Sequence, residues 1–169
     1  MTDRVEAAAT TTHRFREAVE AGDVDAALAT LAPDVIAHSP VTASGHFHGH
    51  GDLRDVLTAM SESMTDVRYT SDVGDDRVRH LSGTARIGSQ PLEETMRIEL
   101  DDQARIHELT VFVRPLAGAA AFLDAIGPRL ARRHGHARAT AFSALSKPLV
   151  FVTRTGDKLG VRLAGLRRD

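Results

Sequence analysis

Cysteine is absent from these 169 residues. That excludes disulfides and thiolate zinc sites, and it fits a reducing compartment. No run approaches the roughly 20 apolar residues that a membrane span needs. The first residues, MTDRVEAAATTTHRF, carry acids and no apolar core segment, so a signal peptide is not expected. Aromatics make up 4% of the chain, and Phe151 is the single one beyond Phe142. Base stacking therefore has little to work with, which argues against a nucleic-acid partner. Walker loop, dinucleotide fingerprint and nucleophile elbow are all missing. These absences leave a soluble, cytoplasmic protein with no membrane partner and no cofactor, long enough for one domain with a real core.

What is present is unevenly charged. Residues 1–128 hold 11 Lys+Arg against 21 Asp+Glu, and residues 129–169 hold 10 against 2, so balances of −10 and +8 give the net −2. A basic tail docked on an acidic body or on a partner subunit explains the split. A surface for an anionic partner is the alternative.

Apolar spacing at Val5, Ala8, Ala9, Phe15, Ala18 and Val19 predicts a first helix, ended by Gly22. Asp23 is placed to cap a short helix over 24–31, broken at Pro33-Asp34. A strand over 35–39 stops at Pro40, 42–51 reads as loop, and a helix runs from Asp52 to about Met64. Four strands follow, over 67–73, 78–87, 92–100 and 105–113, with hairpin signals at Gly74-Asp75-Asp76 and Asp101 to Ala104. Beyond Arg114-Pro115 helices are predicted over 116–133 and 137–146. The 149–166 segment has both helical and strand features and is read as helix. The order points to an α+β fold with helices on one face of a curved sheet.

Three segments, AGDVDAALATLAPDVIAHSPV, GHFHGHGDLRDVL and MRIELDDQARIHELTVFVRP, make the chain resemble the SnoaL-like, nuclear transport factor 2-like superfamily. The resemblance implies a cone-shaped (cystatin-like) fold. In it a strongly curved mixed sheet carries the N-terminal helices on its concave face. The domain would span 1–116, and 117–169 would form a basic, mainly helical C-terminal extension of it. A homodimer joined through the exposed sheet face is also implied. Members include ketosteroid isomerases, polyketide cyclases and limonene epoxide hydrolases, so the fold alone does not fix an activity.

Of three positions matching the isomerase machinery, two differ in kind and one survives. Ser39 stands where that family has its general-base aspartate, Phe15 where it has a tyrosine, and Glu94 where it has a protonated aspartic acid. Loss of a positioned base forfeits roughly 10²–10⁴ in rate, so steroid-type isomerisation is not expected. The cyclases and hydrolases place an acid late in the sheet, whereas here His107 to Arg114 has one only near its start. Arg97 and Glu99 have the strand parity that points away from the pocket.

Glu94 shares the face of Leu92, Met96, Ile98 and Leu100, so it either enters apolar surroundings or sits at the wet end of its strand. In apolar surroundings desolvation raises its pKa, which suits an acid or a hydrogen-bond donor. His38 ends the first strand and is the other candidate acid-base group, with a strand-end hydrogen-bonding role as the alternative. His46, His48 and His50 invite a metal reading, but the surrounding glycines favour an ordinary loop and no metal site is assigned. Phe15, Ser39, Phe47, Met60, Met64, Tyr69, Met96 and Phe112 are candidate pocket lining, and the large apolar ones are equally reasonable as core. Three functions remain: binding of a small apolar molecule, isomerase, cyclase or hydrolase chemistry using Glu94 with His38 or Tyr69, or a non-catalytic interaction module with a filled pocket.

Overall fold

A computed structural model describes residues 2–164. Helix α1 spans Thr2–Ala21 and α2 Val24–Leu28. Strands β1 (Leu31–His38) and β2 (His46–His48) precede α3 (Gly49–Ser63). Strands β3 (Met64–Gly74), β4 (Val78–Ile87), β5 (Gln90–Leu100) and β6 (Ile106–Arg114) then lead to α4 (Leu116–Ala131), a 3-10 turn and α5 (His136–Leu163). The six strands form one sheet in the order β2-β1-β6-β5-β4-β3. Only the β1–β6 pairing is parallel, so the sheet is mixed. The fold is the α+β cone.

Local chemistry explains the connections. Gly22 takes the left-handed φ of +70° that closes α1, and the Asp23 amide donates to the Ala18 carbonyl as in a Schellman turn. The Asp23 side chain then accepts from the Ala26 amide, capping α2 as expected. That helix stops at Leu28, and β1 begins at Leu31, ahead of Pro33. The proline lies at an irregularity in the β1–β6 register, between Leu31 and Ile36, where no ladder amide is needed.

Two further expectations are corrected. The 42–51 loop contains β2, because Phe47 turns inward against the core while His46 and His48 stay exposed. Residues 137–166 are not two helices but one through Leu163, with 165–166 outside the described residues. Pro148 interrupts α5 on an exposed side, where water can satisfy the released carbonyl.

The core has two parts. Ala8, Phe15 and Ala18 of α1 meet Leu81, Met96, Ile98 and Leu109 on the inner face of the sheet. Phe122 and Ile126 of α4 join Ala59, Met64, Ala85 and Leu92 in a second cluster. Helix α4 thus lies across the open end of the cone. Gly118 makes that approach feasible, since a Cβ there would stand 2.9 Å from Leu92 Cβ. Arg129 pairs with Glu62, and Arg133 with Asp52 and Asp55, so basic groups of the extension meet acids of α3. No helix among the described residues is long and apolar enough to cross a membrane.

Candidate functional site

A cavity of about 310 Å³ lies between the cone and the helices that cover it. Ala37, Ser39, Phe47, Val56, Met60 and Val111 supply the cone side, and Phe122, Ile126, Leu130 and Phe142 supply the cover. Gly127 admits Phe142, because a Cβ at that position would collide with the ring at Cε1 and Cζ. Neither Asp, Glu, Lys nor Arg is among the lining residues; Ser39, Thr42, His38 and His134 are the polar ones. At this volume the cavity sits at the lower end of the roughly 300–1,000 Å³ typical of ligand pockets.

A second cleft of about 250 Å³ opens between α1, α3 and β3, with Met60 and Met64 in its wall. Of the candidate lining residues, Ser39, Phe47 and Met60 therefore bound the larger cavity and Met64 the cleft. Phe15, Tyr69 and Met96 belong to the packed core. Phe112 bounds neither of these; it is 56% exposed and borders a groove on the outer face with Thr70, Thr95 and Arg114. Leu109, Val111 and Val113 hold the inward parity of β6, which turns Phe112 to the outer face.

The two candidate acid-base residues lie apart. Alternation on β1 sends Ala37 into the core and His38 to the outer face, where its Nε2 stands 3.0 Å from Glu108 Oε1. Glu94 instead points inward and is 2% exposed. The Tyr69 hydroxyl donates to Glu94 Oε1 at 2.5 Å, while Oε2 is buried with no hydrogen-bond partner among the described residues. Gly83 explains how side chains on β3 and β5 can meet. It pairs with both Tyr69 and Glu94 and has no side chain to stand between them. Glutamate 20 completes the arrangement by accepting from the Tyr69 amide at 2.6 Å.

Burial raises the Glu94 pKa above 4.5, against a smaller opposing effect of the Tyr69 hydrogen bond. Burial, reinforced by Glu94, also holds the Tyr69 phenol well above 10. Both shifts favour the protonated forms, and with Tyr69 donating to Oε1 the place for a Glu94 proton is Oε2. A carboxyl whose pKa is raised on folding gives stability that is complete below its unfolded value and lost as pH rises through the folded one. Thermal unfolding from about pH 4 to pH 8 should therefore show the wild type losing stability as Glu94 ionises, and Glu94→Gln lacking that loss. Parallel profiles for the two proteins would contradict the burial of this proton. The acid limb is separate and shared. Backbone amides of Val78 and Arg77 lower Asp75, and the Arg77 hydrogen bond and charge lower Asp102, so their contribution disappears as pH falls.

Sequence reasoning missed the cover of the cavity. Phe122, Ile126 and Leu130 recur at four-residue intervals, an inward helical stripe legible in the sequence. Assigning that segment to an extension hid its role as a wall. Among the described residues, no three His, Asp or Glu converge as a metal site; His46 and His48 lie on β2 and His50 turns away into α3.

A family model for the SnoaL-like domain matches residues 12–89. A steroid delta-isomerase from Pseudomonas aeruginosa is 27% identical, covering 79% of this chain and 95% of its own, with a TM-score of 0.65. An uncharacterized protein with a cystatin-like fold from Silicibacter pomeroyi DSS-3 is 25% identical, over 78% of this chain and 91% of its own, with a TM-score of 0.67. SalBIII, an epoxide hydrolase/cyclase-like enzyme of pyran ring formation in salinomycin, shares the fold at 14% identity, with coverage of 63% and 90% and a TM-score of 0.55. No curated protein matches the sequence. Sequence segments, sheet order and these likenesses agree: the chain has the cystatin-like, nuclear transport factor 2-like fold, and residues 12–89 are similar to the SnoaL-like domain.

Proposed function

We propose that the protein binds a small, neutral, mostly apolar molecule in the cavity beneath α4. The observation that carries this reading is the lining: Phe, Val, Met, Ile and Leu side chains without one carboxylate, ammonium or guanidinium group. A charged ligand would lose its hydration there with no countercharge to replace it. One polar atom on the ligand finds partners at Ser39, Thr42 or His134. 2-Naphthol, a neutral bicyclic ring with one hydroxyl, is a suitable probe. Its fluorescence should report saturable binding to the wild type, and Met60→Trp and Ile126→Trp, which fill the cavity from opposite walls, should abolish it. Binding that survives in both variants, each checked for retained fold by circular dichroism, would refute the assignment.

A second reading, acid-base chemistry on a related ligand, rests on a different observation. Glu94 Oε2 is buried with no hydrogen-bond partner among the described residues, and burial favours its protonated form, which suits donation to a substrate oxygen. The likeness to a steroid delta-isomerase supports this class of reaction, whereas Ser39 at the base position does not. His38 borders the cavity at the end of β1 and is an alternative proton carrier, its Nε2 paired with Glu108.

A further inference from the structure

Met60 is the one described residue common to the walls of the covered cavity and of the cleft between α1, α3 and β3. Its place on α3 accounts for that. At about 100° of turn per residue, Met60 stands about 40° around the helix from Val56, which faces the covered cavity, and about 60° from Leu57, which faces the cleft. It is half-buried, whereas its neighbours Leu57 and Ala59 are buried. With space on both sides, this unbranched, flexible side chain can swing either way with no change in the backbone.

The cleft continues an apolar path beyond it. Ala18, Val19, Leu57, Met64 and Val67 form its floor. Its rim carries Glu20, Asp23 and Asp66, and Lys, Arg and His are missing from the lining. Backbone amides of Tyr69 and Ala26 hold the Glu20 and Asp23 carboxylates in place. The larger space, about 310 Å³, lies at the lower end of the roughly 300–1,000 Å³ typical of ligand pockets, and the cleft, about 250 Å³, lies below it. Joined past Met60, they fall inside that range.

We infer that Met60 is a movable partition and that the ligand is elongated. Its compact body occupies the covered cavity, and an unbranched, uncharged tail passes Met60 into the cleft. An anionic tail end is disfavoured, because it would emerge among fixed carboxylates with no cation to meet it. The class is therefore a neutral long-tailed molecule, such as an alcohol or ether, and not a carboxylate. This inference rests on the covered-cavity reading above and adds the shape and charge of the ligand.

Fluorescence titration of the full chain with 2-naphthol and 6-hexyl-2-naphthol, which differ only by an unbranched tail, tests it. Ser61→Trp and Thr65→Trp fill the cleft from α3 and β3 at exposed positions. Each should weaken binding of the hexyl probe roughly tenfold or more. Unchanged affinity for 2-naphthol in the same variants shows that the fold is kept. Met60→Ala should tighten binding of the hexyl probe, and a carboxylate at the tip of the tail should weaken its binding to the wild type. In methyl-labelled nuclear magnetic resonance, Met60 should shift with both probes and Met64 with the hexyl probe alone. A hexyl probe indifferent to both cleft variants, equal weakening of the two probes, or an unshifted Met64 methyl would overturn the inference and leave the covered cavity standing. Failure of 2-naphthol itself to bind the wild type would refute that earlier reading and this one with it.

Discussion

Arg79→Leu should destabilise the protein by about 3–5 kcal/mol, the loss expected when one member of a buried ion pair is removed. Arg79 is 6% exposed and its guanidinium reaches Asp72 at 2.7 Å. Its Nε also donates to Thr12, whose hydroxyl in turn donates to the second Asp72 oxygen at 2.6 Å. The network fixes α1 across β3 and β4, so its loss should loosen the helix that supplies Phe15 to the core. Leucine leaves the Asp72 carboxylate facing a largely dry interior without its countercharge. The double variant Arg79→Leu/Asp72→Leu should recover most of the loss, because both charges are gone and Thr12 keeps the Ala8 and Ala9 carbonyls. Chemical denaturation of the two single variants and the double variant forms the cycle that checks this. If the double variant were as unstable as the sum of the singles, the residues would not act as a pair.

Gly83→Ala comes next, at about 3 kcal/mol, the upper end of the usual range for overpacking. The added Cβ would stand 2.4 Å from the Arg68 carbonyl oxygen and 2.9 Å from Tyr69 Cα. These are backbone atoms, and no rotamer change can move them away. The strands must separate, and Tyr69 must shift with them. The variant should therefore lose the Tyr69–Glu94 hydrogen bond together with its stability. Near-ultraviolet circular dichroism of Tyr69, the only tyrosine in the chain, can follow that change. By contrast, Gly88→Ala at the β4–β5 turn would meet no atom within 4 Å and incurs mainly the strain of a positive φ. An equal loss at both positions would contradict the close approach at Gly83.

The legible and illegible parts of the sequence divide along physical lines. Period-two alternation located the four long strands because one face is dry and the other wet, and it aimed Glu94 inward and Arg97 and Glu99 outward. Short elements were harder. The β2 strand is three residues among glycines, held by its pairing to β1, and the start of β1 depends on a register irregularity around Pro33. The meeting of Tyr69 and Glu94 across β4 needed the registers of three strands, although a mid-strand glycine is a signal of close approach. Phe112 was misplaced for want of the parity argument that served on β5. The cavity was the least accessible feature, because half of its wall comes from α4 and α5. No local pattern says that a helix after the last strand folds back over the mouth of the cone.

The central claim, that this covered mouth is a binding cavity for a neutral apolar molecule, is tested most directly by methyl-labelled nuclear magnetic resonance during titration with 2-naphthol. Saturable shifts confined to the methyls of Val56, Met60, Val111, Ile126 and Leu130 are the predicted result. Shifts absent from these groups, or confined to Leu145, Leu159 and their neighbours on α5, would contradict it.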